Sequence, residues 1–427
     1  MGRTQSGAAG VDGFVATRAR STLFTGDRAV PRMRVRRRAT VLAALTLAAA
    51  ACGNQGNASG HATPASTPAA SASASTSNRE LLFAVLEPGG DLTSMRDTAV
   101  AIVRVDGTAK AKARLDPRQL PKVGNALPLP QPEARVAGGR VFFADGAGVV
   151  RSLTPDGTAG SVTSLPLSNA QQLLSFAVSP DGSQLLAAIF SFPPVHNPAP
   201  QTPIDPPFGP GDFAQQLWSA RPGQAPTSLL KHNWPQSAGP PKDALALVGW
   251  SREAPLATID TMLGTQQGSL GRQTFGHVAE LDTAGRPGPP LGGYNCDTWS
   301  VLPDETVLCD DDSQLRNFSV RAKDGTVRFK LRATGDTQFL DLTLAPDAAH
   351  VAYLVTGGRP TVTDGTGKSL TLPATFRPMG WLNASTVVGA VQTSQGDGDV
   401  ALVRLDKPSK MDDLGFHGYF VGVVQGG

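Results

Sequence analysis

The chain has 427 residues, more than one compact core usually holds, so it must contain several domains, a repeat fold or a domain with long appendages. Its formal net charge is +3, but residues 1–51 hold nine arginines and two acidic residues. Subtracting these from totals of 38 basic and 35 acidic residues leaves 29 and 33, a net charge of −4 from residue 52 onward. A slightly acidic body argues against nucleic acid as a partner.

The N-terminal region predicts an exported, lipid-anchored protein. Residues 33–52, MRVRRRATVLAALTLAAAAC, join a basic head to thirteen uncharged, mostly apolar residues that end before Cys52. This apolar core is too short to span a bilayer and has the proportions of a signal peptide. The segment resembles a bacterial lipoprotein signal, which implies that Cys52 becomes lipidated, although Ala49 stands where leucine is usual. An ordinary secretory signal cleaved within the alanine run is the alternative, and the export route, general secretion or twin-arginine, stays open.

Four segments are expected along the chain. We expect Met33 to be the true start, with residues 1–32 a non-native extension and residues 33–51 a signal peptide. Residues 52–79 form a lipid-anchored flexible linker, because residues 53–79 contain no apolar side chain larger than alanine and cannot bury enough surface to fold. A coil of that length reaches about 30 Å. It would hold the folded domain, residues 80–427, at the outer face of the cytoplasmic membrane in the cell envelope.

From Leu81 onward the sequence predicts short strands and turns, with no convincing helical period. The segments 81–86, 99–105, 140–144 and 149–153 are rich in β-branched and aromatic residues and are bounded by Gly, Pro or Asp. Many short strands with frequent turns are typical of a sandwich, a barrel or a propeller.

Internal repetition favours the propeller. The segment FAVSPDGSQLLAAIF, residues 176–190, recurs in degraded form at 246–259, 298–309, 342–355 and 377–391. Each copy has an apolar strand, a polar turn and a second apolar strand. The tripeptide Asp-Gly-Thr at 106–108, 156–158, 324–326 and 364–366 predicts a second hairpin, with a two-residue turn. Two hairpin turns give four strands in each unit, as in a propeller blade.

The predicted fold class is therefore all-β, a β-propeller of seven four-stranded blades. Six inner strands are expected near 132–137, 173–178, 245–250, 297–301, 339–344 and 376–381. The seventh blade would form when the C-terminal segment 418–424 pairs with residues 81–86, which closes the ring and removes both sheet edges. Six or eight blades are the alternatives.

The turn Ser179–Gly182 between two apolar strands resembles the WD40-like repeat of the periplasmic TolB family of β-propellers. The whole chain resembles an actinobacterial lipoprotein that carries such a propeller. This resemblance implies binding of a partner protein or peptide near the mouth of the central channel. No binding motif of that family can be assigned to particular residues of this chain.

Patterns that would indicate catalysis or metal binding mostly fail. The segment GTGKS at 365–369 lacks the glycine that a phosphate-binding loop needs at position 362, and no Gly-x-Ser-x-Gly sequence occurs. The six histidines show no close spacing typical of a shared metal site. The acidic run at 310–312 is interpreted as a solvated strand end rather than a calcium site. No catalytic residue, metal site or cofactor is predicted.

Two cysteines, Cys296 and Cys309, lie on either side of a predicted hairpin turn. Antiparallel pairing could bring them within the separation that a disulfide needs, and such a bond persists in an exported protein. The sequence therefore favours a disulfide, with two free thiols as the alternative.

A proline-rich insertion interrupts the third blade between Phe192 and Phe213. Its twenty residues hold eight prolines, which cannot join a sheet and favour extended polyproline geometry. Long loops of this kind often bind ligands, so we name it as the candidate binding loop, with apolar contacts from Val195, Ile204 and Phe208. A tolerated surface insertion is the alternative.

The functional prediction is a cell-envelope lipoprotein whose propeller binds a protein, peptide or glycan and which is not an enzyme. One alternative is an enzyme with its site at the central channel, as in propeller lactonases and glycan-active propellers. Another is a purely structural sensor or assembly domain. Trp250, Trp299 and Trp381 lie on predicted inner strands, where core packing between blades is the expected role.

Overall fold

The computed structural model describes residues 80–87, 98–116, 134–168, 172–194, 210–235, 241, 243–259, 276–393 and 396–425. Every described residue belongs to one compact unit, which spans residues 74–427. That unit is a seven-bladed β-propeller built from four-stranded antiparallel sheets, as predicted. Its described residues form no helix, and so none that could cross a membrane.

The strands are numbered β1–β28 in chain order, and each blade extends from an innermost strand at the centre of the ring to an outermost strand. In that order, blade 1 contains β28 (Tyr419–Gln425), β1 (Leu81–Glu87), β2 (Ala99–Arg104) and β3 (Ala109–Arg114). Blade 2 contains β4 (Ala134–Ala137), β5 (Arg140–Ala144), β6 (Val149–Leu153) and β7 (Ala159–Ser164). Blade 3 contains β8 (Gln172–Val178), β9 (Leu185–Ser191), β10 (Phe213–Ala220) and β11 (Thr227–Trp234).

Blade 4 contains β12 (Ala246–Trp250), β13 (Pro255–Thr258), β14 (Val278–Leu281) and β15 (Pro287–Pro290). Blade 5 contains β16 (Asp297–Val301), β17 (Val307–Asp310), β18 (Asn317–Arg321) and β19 (Val327–Arg332). Blade 6 contains β20 (Phe339–Leu344), β21 (His350–Val355), β22 (Thr361–Asp364) and β23 (Ser369–Thr371). Blade 7 contains β24 (Phe376–Asn383), β25 (Thr386–Thr393), β26 (Gly396–Arg404) and β27 (Met411–His417).

The C-terminal strand closes the ring, as the sequence predicts. Strand β28 pairs antiparallel with β1 from Leu82 opposite Val424 to Leu86 opposite Tyr419, with a bulge between. The closing strand also packs tightly against blade 7, since a Cβ added to Gly380 of that blade would lie 2.4 Å from the Phe420 ring. Closure therefore joins the two ends of the propeller through one sheet, and it makes β1 the second strand of its blade.

The core consists of seven apolar layers, one between each pair of neighbouring blades. Between blades 2 and 3, for example, Phe142 packs with Phe176, and both are fully buried. Because most blade strands contact a neighbour on both faces, the second strands are buried throughout instead of alternating. This packing explains the continuous apolar runs of the repeat.

The tight turns follow one pattern, which differs from the two-residue turn expected from Asp-Gly-Thr. At 104–108 the Gly107 N–H donates to Arg104 O at 3.0 Å and Gly107 has a φ of 85°, a type I turn followed by a left-handed glycine. The copies at 154–158 and 322–326 repeat it. At 364–368 the equivalent residue is Gly367 rather than Gly365, so that Asp-Gly-Thr copy is out of register by two residues. The GTGKS segment is thus a hairpin turn.

The three tryptophans on inner strands pack between blades, as expected. Trp299 and Trp381 also donate hydrogen bonds to one short segment of the sixth blade from opposite sides. Trp299 Nε1 donates to Leu342 O at 2.9 Å, and Trp381 Nε1 donates to Thr343 O at 3.1 Å. Trp250 is partly buried in the layer between blades 3 and 4.

Candidate functional site

The two ends of the blades carry very different connections. At one end, first-to-second and third-to-fourth strands are joined by connections of at most six residues; we call this end the turn face. The other connections leave from the opposite end, the loop face, and six of them are longer: 88–98, 115–133, 165–171, 192–212, 235–245 and 259–277. Each is wholly or partly outside the described residues. All six belong to blades 1–4, so the long connections cluster on one half of the loop face.

The predicted binding loop is one of these connections. The structure ends β9 at Ser191 and begins β10 at Phe213, which places both ends of the insertion on the loop face of blade 3. Val195, Ile204 and Phe208 lie outside the described residues, as does Cys52.

An aromatic cluster lies where the insertion leaves and rejoins the blade. The rings of Phe190 and Phe213 are 6.0 Å apart and stacked, and the Phe190 and Trp234 rings are 6.2 Å apart. Phe192 and Ala244 complete the buried part of this cluster. Burial of these side chains fixes both ends of the insertion on the sheet, because exposing a buried phenylalanine side chain to water costs about 1.5–3 kcal/mol.

The inner strands of blades 6 and 7 carry an ion pair that sequence reasoning missed. Arg377 Nε and Nη2 donate to the two carboxylate oxygens of Asp341 at 2.7 and 3.2 Å. Asp341 is 8% exposed and lies in a bulge of β20 with a φ of 57°. A left-handed, buried aspartate costs backbone and desolvation energy, so the surrounding contacts must hold it there. In the sequence, Asp341 could have been recognised as the single carboxylate within an otherwise mostly apolar strand, FLDLTL.

A second arginine extends across the inner strands of blades 2 to 4. Arg135 Nη2 donates to Leu247 O at 3.4 Å, and its guanidinium carbon lies 6.0 Å from the Phe176 ring centre. Leu247 N in turn donates to Ser175 Oγ at 3.0 Å. These groups lie on the innermost strands of their blades, and each is bound by protein groups. What they can offer a ligand is positive charge and one carboxylate, at separate points of the ring.

The acidic run of blade 5 is not a solvated strand end, and this expectation was wrong. Asp310 is buried, and its carboxylate accepts hydrogen bonds from Asp312 N at 3.3 Å and Leu315 N at 3.1 Å. Burial and a hydrogen bond with the Asp312 carboxyl raise the pKa of Asp310 to about 6. Asp311 accepts from Arg321 Nη2 at 2.6 Å. Within the described residues, no three His, Cys, Asp or Glu side chains are arranged to hold a metal.

The predicted disulfide is present. Cys296 and Cys309 are bonded, with a Cα–Cα distance of 4.8 Å, and both are fully buried between blades 4 and 5. The bond ties the connection 291–296 to the second strand of blade 5.

Comparisons with known proteins bear on the fold alone. No family model and no curated protein matches the chain. It is similar to a solved oligogalacturonate lyase in complex with manganese (9% identity, 75% of this chain and 71% of that one, TM-score 0.31). It is similar to a virginiamycin B lyase from Staphylococcus aureus (10%, 66% and 83%, TM-score 0.36) and to a dihydro-heme d1 dehydrogenase (14%, 81% and 75%, TM-score 0.39). Propellers support many activities, so these likenesses indicate no reaction for this chain.

Proposed function

We propose that this protein is a cell-envelope lipoprotein whose propeller binds a protein, peptide or glycan on the loop face of blades 1–4. The observation that carries the binding role is the sorting of connections: every connection longer than six residues leaves from that half of that face. Ligand-binding residues lie disproportionately on loops that a rigid scaffold positions. The opposite face is held to short hydrogen-bonded turns.

The envelope location is supported by the sequence. A basic head, a short apolar core and Cys52 follow the order of a lipoprotein signal, and the 53–79 segment has the composition of a tether. Two or more acyl chains on Cys52 would anchor the protein stably, since each buried methylene contributes about 0.8 kcal/mol. The Ser179–Gly182 turn, which resembles the TolB-family repeat, agrees with an extracytoplasmic propeller.

Localisation is tested by replacing the anchor cysteine. The wild-type protein is expected in the membrane fraction with a lipid-modified Cys52 in its mass spectrum. The Cys52→Ala variant is expected in the soluble exported fraction. An unmodified wild-type protein in the cytoplasm would refute this part of the proposal.

Binding is tested by pull-down from detergent-solubilised envelopes. The tag is placed at the C-terminus, because β28 runs from the loop face to the turn face and so delivers the tag away from the proposed surface. In the test variant, residues 195–209 become Gly and Ser at unchanged length, which keeps loop-closure entropy constant. The matched control makes the same replacement at 405–410 on the turn face. A partner lost only in the test variant supports the proposal, and equal capture by both variants contradicts it.

One observation favours an enzyme as the second candidate. Asp341 is buried on the innermost strand of blade 6 in a conformation that non-glycine residues rarely adopt, and such strain clusters at catalytic sites. Its carboxylate and the paired Arg377 would be the groups available for chemistry. If lactone or glycan hydrolysis is found, the Asp341→Asn variant should lose this activity while remaining folded. If the activity survives this change, Asp341 takes no part in the reaction.

A further inference from the structure

The outer edge of blade 5 carries cations that lack acidic partners among the described residues. Strand β19 is the last strand of its sheet, so one side of its backbone is not paired in the ladder. Lys330 and Arg332 are exposed on it. The outer strand of blade 1 provides a contrast, because its Lys110 and Lys112 pair with Glu80 and Glu87 and its Arg114 lies 3.1 Å from Asp116. Of these two basic edge strands, β19 is therefore the one whose cations outnumber their acidic partners.

The direction of these side chains follows from the strand register. Lys330 lies opposite Ser319 in the ladder, Arg332 opposite Asn317 and Val327 opposite Arg321. Opposite residues of an antiparallel pair project from the same face. Val327, Lys330 and Arg332 therefore share the face of blade 5 that carries Arg321.

Arg321 connects this face to an exposed aromatic residue. Its Nη1 donates to Gly292 O at 2.9 Å, and its Nε donates to Ser319 Oγ at 2.7 Å. The segment that it holds carries Tyr294, which is 77% exposed. Tyr294 and Val327 are two of the four large apolar side chains exposed in the described parts of the chain.

The backbone around Tyr294 is fixed although its ring is exposed. Its carbonyl oxygen lies 2.8 Å from His277 Nε2, and Gly292 N donates to Lys323 O at 3.1 Å. Two residues further on, Cys296 is bonded to Cys309. An exposed aromatic side chain on a constrained backbone loses little conformational entropy on binding, which is the property of an interface anchor.

We propose that this lateral surface, formed by β19 and Tyr294, binds an extended acidic segment of a partner protein as an added strand. The partner's backbone would pair with the free edge of β19, and carboxylates on every second residue would meet Lys330 and Arg332. The residues between them would be apolar, because Phe329 and Leu331 occupy the other face of the strand. An anionic glycan could use the two cations but not the backbone edge. This surface goes beyond the loop face proposed above and stands independently of it.

The test measures binding of synthetic peptides to the full-length protein by fluorescence anisotropy. The probe is a ten-residue peptide in which Glu alternates with Val. One control peptide has Pro at its two central Val positions, which blocks strand pairing. Another replaces every Glu with Lys. An oligogalacturonate serves as the anionic glycan.

The expected result is saturable binding of the Glu-Val peptide alone. Charge reversal in Lys330→Glu/Arg332→Glu should weaken this binding at least tenfold and should create binding of the Lys peptide. The matched variant Lys110→Glu/Lys112→Glu on blade 1 should bind as the wild type does. Tyr294→Ala should weaken binding about fivefold.

Three results would overturn the proposal. The first is absence of peptide binding, and the second is binding that the blade 5 reversal does not change. The third is equal binding of the proline peptide or the oligogalacturonate, which would assign the surface to non-specific anion binding. Because the reversed variant must gain affinity for the Lys peptide, a misfolded variant cannot imitate the expected outcome.

Discussion

The ion pair between Asp341 and Arg377 gives the most quantitative test of the structure. The Asp341 side chain is 9% exposed and the Arg377 side chain 18%, with donor–acceptor distances of 2.7 and 3.2 Å. Asp341→Asn removes the charge but keeps a residue that tolerates a left-handed backbone. Arg377→Met removes the guanidinium and keeps the apolar stem. Either change removes one charge of the pair and keeps the opposite charge in a largely buried position.

Breaking a buried pair in this way costs about 3–5 kcal/mol, whereas removing both charges costs much less than the sum. We expect each single variant to lose about 3 kcal/mol of unfolding free energy and the double variant to lose about 3–4 kcal/mol. The coupling energy is then about 2–3 kcal/mol, as measured by a double-mutant cycle. The exposed pair of Arg404 and Asp406 is the control, and Asp406→Asn should leave the unfolding midpoint unchanged.

The assay is urea unfolding followed by far-ultraviolet circular dichroism at pH 7. Additive losses in the double variant would refute the reasoning, because additivity means that the two groups do not interact. Losses in the single variants no larger than that of the surface control would contradict the burial of the pair.

Three further predictions concern stability. Replacing Cys296 and Cys309 with Ala should lower the unfolding free energy by about 3 kcal/mol, the entropy of a 13-residue loop, in urea unfolding without reductant; an unchanged midpoint would contradict it. Burial raises the pKa of Asp310 to about 6, so its contribution is full below the ordinary value of 3.8 and is lost as pH rises through about 6. The wild type should therefore gain on the order of 1 kcal/mol over Asp310→Asn between pH 7 and 5, and parallel curves of Tm against pH would refute this. Ala348 has a φ of 56°, so Ala348→Gly should raise stability by about 0.5 kcal/mol, the relieved strain less the added chain entropy; a lower Tm would count against it.

Much of the fold was predictable because blade strands are strongly marked. The second strands LLFAVL and LLAAIF are apolar throughout, and Pro180 occupies the first central position of its turn. The pairing of the two chain ends was predictable, because the C-terminal segment 418–424 has no hairpin partner of its own and the first blade begins at its second strand. Topology therefore followed from local patterns.

Turn geometry was predicted less well, because similar turn sequences occur in different registers. Asp-Gly-Thr at 364–366 looks like the other copies, but the left-handed residue of that turn is Gly367. Conversely, Glu305 and Ala348 occupy the left-handed position that Gly182 fills in the best repeat. Packing within the blade stabilises this left-handed conformation in residue types that rarely adopt it on their own.

The candidate sites were the least predictable part. Asp341 and Arg377 are 36 residues apart, and only the packing of neighbouring inner strands brings them together. The burial of Asp310 depends on the fold of the connection 311–316, which no periodicity indicates. Tyr294 lies in the short connection between β15 and β16, where no sequence motif marks it. Such contacts depend on strand twist and on the choice of neighbouring blades, neither of which short motifs encode.

The assignment of the loop face depends on β1 being the second strand of its blade, because only then do 88–98 and 115–133 leave from the same end as the other long connections. Amide hydrogen exchange of the C-terminal segment 419–425 tests this pairing most directly. We expect exchange as slow as that of the central strand Ala99–Arg104, and we expect residues 81–87 to lose protection when 419–427 is deleted. Rapid exchange of 419–425 beside a fully protected 81–87 would contradict ring closure and the proposed binding face with it.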